Sequence, residues 1–262
     1  MGESGGGRNA GTRDPDKDHV IAELREAVRA RDEFVAIAAH ELRNPMTPIL
    51  MQVSLLLSAA RDPGRCRPDV LIPRLENLER AIGEFVRRSN TLLDVSRIAS
   101  GNVKIEPKTV DVSRIVRGVV DRAANAAQLA RSRLTAEVDD GITGWLDQMA
   151  VEQVTENLVS NALKFGAGRE VRVALRSDAH TAQLIVTDGG MGIPEEDHQR
   201  IFQRFERGGL QTKHGGFGIG LWLADQLVRA MGGTITIESE PGRGATFIVK
   251  LPLDGHDPNG NG

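Results

Sequence analysis

Asn157, Asn161 and Lys164 recur at i, i+4 and i+7 in the run Glu156-Asn157-Leu158-Val159-Ser160-Asn161-Ala162-Leu163-Lys164-Phe165. In a helix that spacing puts two carboxamides and an ammonium on one face. Amide oxygens can ligate a hard cation such as Mg²⁺, and a lysine beside them can meet phosphate. Downstream, Asp188-Gly189-Gly190-Met191-Gly192-Ile193 follows an alternating apolar run. Its glycines permit a tight turn and close approach of a ligand to the backbone, and Asp188 offers an acceptor to an exocyclic amine. A third cluster, Gly215-Gly216-Phe217-Gly218-Ile219-Gly220-Leu221, runs straight into a helical pattern. Successive backbone N–H groups at the positive end of a helix dipole form an anion site. The spacing is not that of the dinucleotide fingerprint, and no P-loop lysine pattern is present. Taken singly, the clusters also read as a polar helix face, a glycine-rich turn and an ordinary loop. Their order along the chain is the informative feature.

A fourth stretch lies far upstream: Phe34-Val35-Ala36-Ile37-Ala38-Ala39-His40-Glu41-Leu42-Arg43-Asn44-Pro45. At 100° per residue Leu24, Val28, Val35, Ala38, Leu42, Ile49, Val53 and Leu56 form one apolar stripe. His40 falls opposite that stripe, Asn44 shares its outward face one turn on, and Glu41 sits at the flank. The pattern predicts an imidazole held outward by a helix whose other side is covered, which taken alone also reads as an ordinary solvated histidine. Pro45 is expected to interrupt the backbone hydrogen bonding just beyond, a defect that costs about 3 kcal/mol in a helix interior.

The totals exclude several classes. The chain has 262 residues, a formal charge of −3 and no tyrosine, which gives no support for nucleic-acid binding. The single cysteine, Cys66, rules out an intramolecular disulfide and leaves no zinc-binding spacing. No apolar run is long enough to span a membrane, and the N-terminus lacks a signal-peptide core. A cytoplasmic location is the expectation.

The elements that must position these residues fall into two textures. Residues 1–16 read as a flexible glycine-rich leader. Helices are predicted over 16–60 and 69–99 around a Pro/Gly loop at 61–68, the second with Leu71, Leu75, Leu78, Ile82, Phe85 and Leu92 on its stripe. Such a hairpin has too little core of its own, and pairing with a second copy into a four-helix bundle solves that. Beyond it the pattern alternates: a strand at 103–110, a helix capped by Asp111, a strand at 134–138, a helix from Asp147 to Phe165, strands at 171–176 and 183–187, a helix at 218–231 and a hairpin of 234–239 with 245–251. The fold class is therefore α+β: a helical hairpin at 17–101, an α/β sandwich at 102–253 with helices layered on a mixed sheet, and a polar tail at 254–262.

With these residues in view, the chain resembles the bacterial sensor histidine kinases of two-component systems. His40 with Glu-Leu-Arg-Asn-Pro after it resembles their H box, and Leu92-Leu93-Asp94-Val95-Ser96-Arg97-Ile98 the end of their second hairpin helix. Residues 157–165 resemble the N box, 188–192 the G1 box, 202–205 the F box and 216–220 the G2 box. Gly189 departs from the asparagine usual after the G1 aspartate, at a position not expected to hold adenine. The resemblance implies a dimerisation and phosphotransfer hairpin joined to a Bergerat-type ATP-binding domain of the gyrase and chaperone superfamily. It implies ATP and Mg²⁺ as cofactors, with His40 as phosphoacceptor, Glu41 as general base and Asn44 as the residue positioning water for dephosphorylation of the partner. It further implies Mg²⁺ on Asn161 with Asn157 assisting, and nucleotide against Lys164, Phe165, Asp188, Gly190, Gly192, Arg207, Gly216, Gly218 and Gly220. The implied partners are a second copy of the chain and a response regulator receiver domain, with an input that the sequence does not reveal. Two rival readings share the nucleotide fold: a serine kinase or ATPase in which His40 is incidental, and a dimeric scaffold that binds nucleotide as a signal. His40 grouped with Glu41, Asn44 and Pro45 on a dimerising hairpin weighs against both.

Overall fold

The computed structural model describes residues 15–62, 64, 66–99, 105–204, 206 and 218–254. Two compact units divide the chain, 1–88 and 89–262. The first is helical. Helix α1, Pro15–Arg61, is 47 residues long, and α2, Pro68–Ala99, is 32. The short connection between them is turned by Cys66, whose N–H donates to the Asp62 carbonyl at 2.9 Å, and α2 opens with Val70 and Leu71 donating to the Arg67 carbonyl. The helix predicted over 16–60 forms as one element: α1 continues through Pro45 and Pro48. Each proline withdraws one donor from the ladder, and the long flanking turns hold the helix together across the gaps.

Leu42, Ile49 and Leu56 of the predicted stripe are half-buried, but Val28, Val35 and Val53 are exposed, as are Leu50 and Leu57. Ile72, Leu75, Ile82 and Val86 of α2 are exposed as well. Contiguous large apolar side chains in water mark a surface for protein contact.

The second unit is a sheet with helices on one face. Strands β1 (Lys108–Asp111), β2 (Arg133–Val138), β3 (Thr143–Leu146), β4 (Glu170–Ser177), β5 (Thr181–Asp188), β6 (Thr234–Ser239) and β7 (Ala245–Pro252) alternate with helices α3 (Val112–Leu129), α4 (Gln148–Phe165) and α5 (Gly220–Ala230). The main sheet has the order β2-β4-β5-β7-β6, with β2 and β4 parallel and every other pair antiparallel. β1 and β3 pair separately as an antiparallel ribbon. β3 has no counterpart in the sequence reading: Thr143-Gly144-Trp145-Leu146 is too short and glycine-broken to show a period, and pairing with β1 makes it a strand. Trp145 N–H donates to the Leu253 carbonyl at 3.2 Å, which ties the ribbon to the end of β7.

The strict alternation along β5 puts Ala182, Leu184, Val186 and Asp188 on the covered face. Register carries that face through Val171, Val173 and Leu175 of β4 and Phe247 and Val249 of β7, all buried. Helices α3, α4 and α5 cover it with Val116, Val119, Leu158, Val159, Leu223 and Val228. Each such apolar side chain contributes about 1.5–3 kcal/mol through burial, which pins the polar positions of α4 in one orientation. Asp111 caps α3 by accepting from Arg114 N–H, and Asp147 caps α4 by accepting from Ala150 N–H at 3.0 Å. The other oxygen of Asp147 accepts from Glu106 N–H at 2.8 Å, fastening the segment that enters this unit to the start of α4.

Candidate active site

The polar face of α4 stays out of the core because Leu158, Val159, Ala162 and Leu163 occupy the buried side. Asn157, Asn161 and Lys164 are half-buried on the other. The N-terminus of α5 comes directly against them. A Cβ built on Gly220 would lie 3.2 Å from Asn157 Oδ1 and 4.0 Å from Asn161 Nδ2. Asn157 Nδ2 is buried with no hydrogen-bond partner among the described residues. An unpaired buried donor costs about 1–3 kcal/mol, so its presence here marks a place for an acceptor.

The first turn of α5 supplies further donors. Its N-cap, Ile219, offers no side-chain hydrogen bond, and the first intrahelical bond runs from Leu223 N–H to the Ile219 carbonyl at 2.8 Å. The preceding amides of the turn have no intrahelical acceptor and point along the positive end of the dipole. Two amides from α4 and the head of α5 thus converge on one spot, as an anion with its metal requires.

Asp188 ends β5 almost fully buried, at 6% exposure. Its Oδ1 accepts from Gly190 N–H at 2.7 Å. Burial holds its carboxyl above the usual aspartate pKa, and backbone hydrogen bonds from Gly190 and Ala245 offset part of that shift. The turn it opens is closely fitted. A Cβ on Gly190 would stand 2.4 Å from the Phe165 carbonyl oxygen, so the C-terminus of α4 lies against the turn. Gly192, at φ +70°, leaves room for the Glu240 carbonyl, which a Cβ would meet at 1.9 Å. Ile193 N–H donates to Ser239 Oγ at 2.8 Å, which in turn donates to the Gly244 carbonyl at 2.7 Å. Phe165, whose carbonyl meets this turn, and Met191 within it have exposed apolar side chains, and Lys164 Nζ lies 4.8 Å from the Phe165 ring centroid. A flat heterocycle bearing an amine suits such surroundings: apolar contact for the ring, a carboxylate for the donor.

Of the residues singled out from sequence, the structure brings together Asn157, Asn161 and Gly220 at one end, and Lys164, Phe165, Asp188 and Gly190 at the other, with Gly192 holding the turn. Gly218 precedes α5 by two residues. Arg207 and Gly216 lie outside the described residues, as do Phe205, Lys213 and His214. His40 and Glu41 lie in α1, with side chains outside the described set, and Asn44 is exposed on the same helix. Sequence reasoning passed over Gly166, Ser239 and Gly244, which shape the Asp188 turn from other elements; no local spacing could have linked them to it. Phe202, in the stretch that resembles the F box, packs edge-on against Phe247 with ring centroids 6.4 Å apart.

Asn157 and Asn161 fit a magnesium site by donor chemistry, since Mg²⁺ takes few protein ligands and draws the rest from phosphate and water. Among the described residues no cluster of histidine, cysteine or carboxylate forms a metal cage.

Residues 30–101 match the His Kinase A (phospho-acceptor) domain, and residues 146–255 match the histidine kinase-, DNA gyrase B- and HSP90-like ATPase family. The alginate biosynthesis sensor protein KinB of Pseudomonas aeruginosa is 33% identical over 235 residues, covering 89% of this chain and 39% of KinB. The chain thus spans well under half the length of that relative. Full-length ShkA in complex with AMPPNP superposes with a TM-score of 0.61 at 21% identity, over 87% of this chain and 47% of ShkA. The histidine kinase ThkA in complex with the response regulator protein TrrA superposes at 0.59 and 22% identity, over 91% of this chain and 66% of that one. At those identities the structures speak for the fold.

Proposed function

The chain belongs to the sensor histidine kinases of two-component signalling, and from that membership we propose that it autophosphorylates on His40 with ATP and passes the phosphoryl group to an aspartate of a response regulator. The observation that carries this reading is the convergence of Asn157, the head of α5 at Gly220 and the buried Asp188 within one unit.

In this reading Asp188 accepts a hydrogen bond from the adenine amine while Phe165 covers the ring. Lys164 and the first-turn amides of α5 neutralise phosphate charge. Asn161 would hold Mg²⁺, with Asn157 assisting, and the ion would supply charge neutralisation to the phosphates. His40 attacks the γ-phosphorus as neutral imidazole, the form whose ring nitrogen carries a free lone pair. A nitrogen–phosphorus bond forms, the bond from phosphorus to the bridging oxygen breaks, and ADP leaves. Glu41 takes the proton from the other ring nitrogen. The regulator's carboxylate then displaces His40 from phosphorus, and return of the proton from Glu41 to the ring restores the neutral imidazole. Asn44 positions water for hydrolysis of the regulator's acyl phosphate, a secondary phosphatase activity.

The exposed apolar side chains of α1 and α2 support pairing with a second copy as a four-helix bundle, a solution that buries surface no single hairpin can. The ThkA complex supports a receiver domain as the phosphoryl acceptor. No described helix is long and apolar enough to cross a membrane.

Incubation with γ-labelled ATP and Mg²⁺, comparing wild type with His40→Gln, tests the reading. Acid-labile, base-stable label that disappears in the variant is expected. Label that persists in the variant would point to a serine kinase, and tight ATP binding without label to a scaffold.

A further inference from the structure

Arg204 stacks on Trp222, its guanidinium carbon 4.3 Å from the indole centroid. Trp222 is the third residue of α5, 6% exposed, in the turn that presents amides to the nucleotide site. Arg204 lies just past the short 3₁₀ turn Arg200–Phe202, so the contact joins two segments distant in sequence. Three features set this arginine apart. It makes no ion pair or hydrogen bond among the described residues, whereas its neighbour Arg200 bonds both Asp197 and Glu206. Desolvation lowers its pKa with no carboxylate to offset it. The ring it covers also belongs to the first turn of a helix, the end where a nearby cation opposes the dipole.

A cation stacked on the first turn of a helix, with no counter-anion among the described residues, is placed against the helix's own stability. It raises the positive potential where polyphosphate would bind. The indole it covers belongs to a turn whose N-cap makes no side-chain hydrogen bond, so the stack also restrains that turn.

We propose that Arg204 is a positioning residue for the triphosphate: it pins the first turn of α5 through Trp222 and adds positive charge at the anion-binding end of that helix. This rests on the ATP-binding reading of the site and extends it to a residue outside the glycine turn. Because the effect is electrostatic and local to phosphate, it grades with ligand charge. Adenosine, ADP and ATP therefore separate it from a general folding role.

The test is calorimetric titration of wild type, Arg204→Gln and Arg204→Lys with Mg-ATP, Mg-ADP and adenosine, alongside thermal melts. Arg204→Gln is expected to melt like wild type, to lose roughly five- to tenfold in ATP affinity, less for ADP and nothing for adenosine. Arg204→Lys is expected to recover part of the loss, because it keeps the charge and loses the stacked plane. The chain has two tryptophans, so in a Trp145→Phe background the emission of Trp222 should shift both on Arg204→Gln and on ATP addition. Equal losses for ATP and adenosine, or unchanged ATP affinity, would overturn the inference while leaving the kinase reading intact. A wild type that binds no ATP would overturn both.

Discussion

Gly244 lies against the backbone carbonyl of Asp188 so closely that a Cβ on it would stand 1.9 Å from that oxygen. Its φ is +83°. The β6–β7 hairpin thereby seats the acceptor proposed for adenine, although the two residues are far apart in sequence. Gly244→Ala combines a left-handed backbone penalty of about 1–2 kcal/mol with a backbone clash. It should lower the melting temperature by at least about 4 °C and weaken ATP binding. A melt unchanged from wild type would show that the hairpin yields freely and does not seat Asp188.

Gly220 makes the opposite test. Alanine is well suited to a helix, and a methyl there would press on Asn157 at 3.2 Å without meeting main chain. Gly220→Ala should therefore melt close to wild type, while ATP affinity falls roughly tenfold or more, equivalent to about 1.4 kcal/mol. Retained affinity would mean that nucleotide does not use the gap between α4 and α5.

Asp188 supplies a pH dependence whose sign follows from its environment. Its folded pKa is raised, chiefly by burial. The group's favourable contribution to stability is then full below the unfolded aspartate pKa of about 3.9 and is lost as pH rises through the higher folded value. Asp188→Asn, which does not titrate, should gain on the nucleotide-free wild type as pH rises from about 4 to 7. Bound adenine favours the carboxylate, so wild-type ATP affinity should fall as pH drops through the same window. Thermal melts of both proteins across that range decide the matter; a difference independent of pH refutes it.

The role proposed for Asn44 would separate two activities. Asn44 stands four residues after His40 on α1 and is exposed. Asn44→Ala should keep autophosphorylation within about twofold and slow dephosphorylation of the regulator by roughly tenfold or more, a barrier change of about 1.4 kcal/mol. Assaying both steps with a purified receiver domain checks this. Wild-type dephosphorylation by the variant would remove Asn44 from the role.

The helices were the most legible elements, because apolar spacing and capping are local. Asp111 and Asp147 announced the starts of α3 and α4, and both accept the cap hydrogen bonds expected of them. Pro45 is accommodated inside α1, since a proline's effect on a helix depends on how much helix surrounds it, and α1 has ample turns on either side. β3 was silent for the converse reason: its identity comes from β1, which no window over its own residues contains.

By itself the sequence determined the chemical inventory: the amides at i and i+4 of α4, the aspartate opening a glycine turn, the glycines leading into α5 and the histidine followed by Glu-Leu-Arg-Asn-Pro. Each is a property of residue type and spacing, and spacing becomes geometry as soon as the local element forms. Tertiary structure alone decided that Gly220 meets Asn157, that Gly244 and Ser239 carry the Asp188 turn, and that Arg204 stacks on Trp222. Those contacts join segments whose distance is set by sheet register and by the burial of the α4 and α5 core faces, neither of which leaves a mark in local sequence.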